Sequence, residues 1–125
     1  MLTFSLPYFL SQLPKLVTVI PFTVYIIVVS ALICLSLGVL VAALRIAKVP
    51  VLAPACEIWL SFVRSMPFIL ELYLTYFCLP FFLRLAGVQT DNWPLTVYVF
   101  ISLAFHYSPM ISEVIRPAYY SVDRG

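Results

Sequence analysis

Residues 16–44, LVTVIPFTVYIIVVSALICLSLGVLVAAL, hold no formal charge between Lys15 and Arg45. This run of about 29 residues exceeds the ~20 apolar residues that cross a bilayer as a helix. It predicts a first membrane span from about Val17 or Pro21 to Leu44, longer than the bilayer needs and therefore tilted. Ser30, Ser36 and Gly38 are small residues at which a neighbouring helix could approach closely. Ahead of the run, residues 1–14 mix Phe4, Tyr8 and Phe9 with Ser5, Ser11 and Gln12 between Pro7 and Pro14, and read as an interfacial lead-in. Nothing basic precedes that stretch, as a secretory signal would require, so the first span is expected to direct insertion itself.

Composition agrees with a lipid solvent. Hydrophobic residues make up 64% of the chain and charged residues 10%, against roughly 25% charged in a soluble domain. The net charge of +2 gives no footprint for nucleic acid, and no nucleic-acid partner is expected. Cys34, Cys56 and Cys78 lack the close Cys and His spacing of a zinc site and read as small buried apolar residues. No metal and no cofactor is expected.

Beyond Arg45 the pattern changes. Leu52, Ala55, Ile58 or Trp59, and Phe62 recur at helical spacing while Glu57, Ser61 and Arg64 fall on other faces, which predicts an amphipathic helix over about 51–64 at the membrane surface. A second span follows over about 66–85, interrupted in polarity by Glu71, Thr75 and Arg84. A short loop over residues 87–92 leads to a third span over about 93–115, with Pro94 at a first-turn position where its missing N–H costs least. Three spans put the chain's ends on opposite sides. Arg45, Lys48, Arg64, Arg116 and Arg124 then share one side and Lys15 and Arg84 the other, so the positive-inside rule predicts an outside N-terminus and an inside C-terminus. The fold class expected is all-α integral membrane, with three transmembrane helices and one interfacial helix.

Ionisable residues inside a membrane cost a few kcal/mol on insertion scales and face protein or water. Glu71 lies about five residues into the second span and needs a partner: a substrate's amino group, a gate ion pair, or a structural pairing with Arg64 on the same helix face. On the third span Tyr98, Ser102, His106 and Glu113 form a polar stripe that could line a substrate path at the midplane or serve as interhelical hydrogen-bond glue. Substrate-pathway candidates are therefore Glu71, Thr75, Tyr98, Ser102 and His106. Arg64, Glu71, Glu113 and Arg116 are candidates for a cytoplasmic gate, crossed as Arg64 with Glu113 and Glu71 with Arg116; pairing of Glu113 with Arg116 along one helix is the alternative. Trp59, Trp93, Tyr98, Tyr119 and Tyr120 read as interfacial anchors. No catalytic residues are expected, since there is a single His, no Gly-rich phosphate loop and no nucleophile motif.

The stretch from Phe62 to Phe77, Phe-Val-Arg-Ser-Met-Pro-Phe-Ile-Leu-Glu-Leu-Tyr-Leu-Thr-Tyr-Phe, closing on Leu79-Pro80, resembles the second-span signature of the permease subunits of bacterial polar amino-acid ABC importers. The segment Ser112-Glu113-Val114-Ile115-Arg116, then Ser121-Val122-Asp123-Arg124-Gly125, resembles the approach to that family's cytoplasmic coupling loop, and Leu13-Pro14-Lys15-Leu16 also fits. Glu71 stands where the family more often has an amide, His106 and Pro109 where Asn and a small residue are more common, and Pro117 where Gly is usual. The resemblance implies the N-terminal part of a five-span type I importer permease in the bacterial inner membrane, ending before the coupling loop. It further implies three protein partners: an ABC ATPase, an extracytoplasmic solute-binding protein, and a second permease subunit, identical or homologous. Membrane lipid surrounds it. A small three-span interaction or regulatory protein, or a fragment without transport of its own, is the competing expectation.

Overall fold

The computed structural model describes residues 5–122. Phe4 of the opening segment, and Asp123, Arg124 and Gly125 of the tail, lie outside them. The order is α1 (Leu6–Ile46), α2 (Leu52–Ser65), α3 (Phe68–Leu85) and α4 (Leu95–Ser121). Helices α1, α3 and α4 are long and apolar enough to cross a membrane.

The first helix departs from expectation. Residues 6–16 are not a separate lead-in: α1 is one helix of 41 residues that runs through Pro14 and Pro21. At ~1.5 Å per residue it is about 60 Å long, twice the ~30 Å hydrocarbon core. Each internal proline deprives only the carbonyl four residues earlier of its donor, a loss that membrane helices tolerate. The buried side of α1 begins only at Ser30 and continues through Cys34, Gly38, Val41, Ala42 and Arg45, so its first half has no buried face within the chain. Ser36 is exposed, its hydroxyl donating to the Leu32 carbonyl at 2.8 Å, and takes no part in the contact with α4.

That small-residue stripe packs on α4, and the α1–α4 contact is the most extensive between elements. Ser102, Ser108 and Ser112 are fully buried on the facing side of α4. The Cys34 thiol donates to the Leu103 carbonyl at 3.4 Å, which requires close backbone approach. Without a hydrophobic force between helices in lipid, such small-residue packing is the usual source of association. Helix α4 runs to Ser121, six residues beyond the expected end, because Pro117 interrupts one hydrogen bond without ending the helix.

Helix α2 docks through Cys56, Leu60 and Val63, leaving Leu52, Ile58 and Phe62 exposed. The apolar stripe read from the sequence thus faces outward, as an interfacial helix requires. The link before it is tight, with positive φ at Lys48 (51°) and Val51 (71°). Helix α3 buries only Glu71, so its remaining faces are available to lipid or other protein. Cys78 is accordingly exposed, not buried as the sequence suggested. Gly87, at φ 82°, makes the left-handed turn that ends α3.

Arg45 and Lys48 precede α2, Arg64 lies in its last turn and Arg116 in the C-terminal part of α4; Arg84 lies at the opposite end, in the last turn of α3. In a chain lacking its native cysteines, a cysteine at Lys48 should be protected from an impermeant external thiol reagent and one at the exposed Gln89 should react. The reverse labelling would invert the orientation.

Candidate functional site

Two polar centres lie along α4. The deeper one joins α3 to α4: Glu71 Oε2 and His106 Nδ1 are 2.8 Å apart, and both residues are buried. An ionised carboxylate only accepts, so with Glu71 charged the imidazole Nδ1 carries the hydrogen. Glu71 occupies the first turn of α3, where the helix dipole favours a negative charge. Phe68 and Tyr107 meet the imidazole edge-on, with ring centroids 5.3 and 4.9 Å away. Glu71 Oε1 is buried and has no hydrogen-bond partner among the described residues.

Glu71 also lines a cavity of about 460 Å³ with Thr75, Leu74, Ile101 and Phe105. The structure therefore brings Glu71, Thr75 and His106 together. Ser102 is fully buried, but its hydroxyl donates back to the Tyr98 carbonyl at 2.8 Å. Tyr98 belongs elsewhere, at the α3–α4 turn, where its hydroxyl donates to the Thr90 carbonyl at 3.4 Å. It is buried beside Tyr76 and the half-buried Trp93, so Tyr98 packs within the chain and is not an exposed anchor. Trp59 likewise packs on Phe105, centroids 5.0 Å apart, with its indole nitrogen buried.

The second centre is an ion network at the α2 end. Arg64 pairs with Glu113. Glu71 does not pair with Arg64 or Arg116; its partner is His106, while Arg116 Nη1 lies 3.5 Å from Glu57. Glu113 is held between helices instead of along its own. The hub is Arg45, whose side chain is 4% exposed. Its guanidinium donates to Ser112 Oγ at 2.9 Å and lies 3.4 Å from Glu113 and 3.6 Å from Glu57. Sequence reading used Arg45 only as a marker of orientation and put Glu57 off the apolar face of the interfacial helix; the sole signal for more was that Arg45 ends the long apolar run. Three arginines from three helices thus share two carboxylates.

Arg64 is 56% exposed at its side chain, and exposed pairs are worth roughly 0–1 kcal/mol. Arg64→Ala should therefore lower stability by less than about 1 kcal/mol, as measured by thermal unfolding in detergent. A loss several times larger would mean that Arg64, rather than Arg45, organises the network.

An all-helical membrane protein with an ionisable pair buried between two spans is the class that fold and site define. Comparison with known proteins narrows it. The chain is 28% identical over 112 residues to the L-cystine transport system permease protein TcyL of Bacillus subtilis, covering 90% of the chain and 47% of the relative. It is 31% identical over 123 residues to the probable amino-acid ABC transporter permease protein PatM of Vibrio harveyi, covering 98% and 53%. It is 30% identical over 114 residues to the arginine transport system permease protein ArtQ of Bacillus subtilis, covering 91% and 49%. The chain is related, over nearly its whole length, to amino-acid ABC transporter permeases, and it spans about half the length of the curated relatives it matches. No protein-family model and no solved structure matches it.

Proposed function

We propose that the chain forms part of the translocation pathway of an ATP-driven importer of polar amino acids in the bacterial inner membrane. The observation that carries this reading is Glu71: a carboxylate buried between two spans, with one oxygen on His106 and the other without a partner among the described residues, in the wall of a cavity shared with Thr75. Burying a charge that lacks partners is costly, and the ammonium group of an amino acid is a ligand that offsets that cost. Relatives named for amino-acid transport support the same substrate class.

In this reading the four helices make up the first part of a five-span membrane domain, with the N-terminus outside. A second permease subunit completes the pathway, a solute-binding protein delivers the substrate, and an ATPase supplies the energy. ATP-driven closure of the ATPase pair rocks the helices, and the Arg45–Arg64–Glu113 network closes the cytoplasmic side between cycles. Cells carrying the intact gene should accumulate at least one labelled polar amino acid, and cells deleted for it should lose that uptake at least tenfold. Unchanged uptake of every polar amino acid on deletion would reject the proposal.

A further inference from the structure

At the end of the bundle opposite the arginine network, Tyr76, Phe77 and Pro80 of α3, Asp91 and Trp93 of the turn, and Tyr98 of α4 line a cavity of about 390 Å³. It lies within the ~300–1,000 Å³ range of small-molecule sites. Tyr98 packs edge-on against Tyr76, centroids 5.3 Å apart at 76°, and lies tilted against Trp93, centroids 6.0 Å apart at 46°. All three rings line this one cavity. Tyr98 is fixed there by burial and by its hydroxyl bond to Thr90.

One acceptor completes the wall. Asp91 contributes a carboxylate. Aromatic faces attract organic cations within about 6 Å, and a carboxylate supplies the opposite charge.

We propose that this aromatic cavity is a binding site for organic ammonium groups, distinct from the Glu71–His106 centre and independent of whether the chain transports anything. Asp91 is at present paired with Arg84. Both side chains are 62% exposed, and such pairs are weak. An incoming ammonium displaces Arg84 from Asp91 and gains the rings as well. The same chemistry is offered by a free amine or amino acid and by the headgroup of an amine-bearing phospholipid.

The test uses the whole chain, with Trp59→Phe so that Trp93 is the reporting tryptophan, in nanodiscs of phosphatidylglycerol, which has no amine. Choline chloride, titrated against sodium chloride at matched ionic strength, should change Trp93 fluorescence saturably. Asp91→Asn and Tyr76→Leu should each weaken the response at least tenfold with helicity unchanged by circular dichroism. Arg84→Ala should strengthen it two- to fivefold, since it removes the competing cation; a merely structural aromatic cluster has no reason to do so. Should Tyr76→Leu fail to fold, the exposed pair Asp91 and Arg84 decides the matter. Phosphatidylethanolamine added to the nanodiscs should suppress the choline response if the source is lipid and leave its midpoint unchanged if it is a soluble amine; either result keeps the site. No saturable response, or the same response in Asp91→Asn and Arg84→Ala as in the parent, overturns it.

Discussion

Gly38→Leu should destabilise the protein by about 3 kcal/mol or more, at the upper end of what overpacking costs. A Cβ at Gly38 would sit 2.6 Å from Ile111 Cγ2, 2.8 Å from Ile111 Cβ and 3.2 Å from the Ser108 carbonyl oxygen. None of these atoms yields easily. Ile111 is β-branched and stiff within a helix, and the Ser108 oxygen belongs to the α4 backbone. Even alanine forces α1 and α4 apart at their main contact, although the ~1 kcal/mol gained on replacing a helical glycine offsets part of that cost. Thermal unfolding in detergent and abundance in the membrane should both fall for Gly38→Leu, and Ile111→Ala should recover part of the loss for Gly38→Ala. Ser36→Leu, on the exposed face of the same helix, should be close to neutral. A stable Gly38→Leu protein would show that α1 and α4 do not pack as described.

Arg45→Ala is the second large effect expected, at up to about 3 kcal/mol. Removing one partner of a buried ion pair typically costs 3–5 kcal/mol because the remaining charge is left unpaired. Here the lower end is the ceiling, since the carboxylates left behind are 29% and 57% exposed at their side chains and Glu113 keeps Arg64 while Glu57 keeps Arg116. The loss also frees the buried Ser112 hydroxyl and unties α1 from α2 and α4 at one point. Arg45→Lys should recover only part, because a single ammonium cannot reproduce the guanidinium fork that reaches Ser112 and two carboxylates. In a cycle of Arg45→Ala, Glu113→Ala and the double change, the double change should cost less than the sum of the singles. Strict additivity would show that Arg45 and Glu113 are not coupled.

Much of the fold was legible because lipid as solvent leaves few choices: the Glu71 span and the Pro94 start each marked a helix within a few residues of its start, and the charge-free run marked the C-terminal end of α1 but not its start at Leu6. The prolines misled. Pro7 and Pro14 read as punctuation in residues 1–14, but in a membrane helix a lost N–H interrupts one bond without ending the helix. Partners across helices were harder to read. Arg64 and Glu113 sit at a shared edge, so their meeting follows from topology, whereas Arg116 lies ten residues past His106, about 15 Å along α4. It cannot reach the level at which His106 meets Glu71, and it turns to Glu57 on α2 instead. Spacing along one helix likewise could not show that Tyr98 separates from His106: the loop after α3 folds Trp93 and Thr90 onto Tyr98.

The central claim is that the Glu71 face of α3 lines a route for polar solute. Its most direct test is cysteine accessibility in cells whose uptake depends on the intact gene, with the native cysteines removed. A cysteine at Thr75, in the wall of the Glu71 cavity, should react with a small charged thiol reagent, lose uptake on reaction, and be protected by the transported amino acid. A cysteine at Val28, on the exposed side of α1, should neither react nor alter uptake. An unreactive position 75, or one that reacts with uptake intact, would contradict the account.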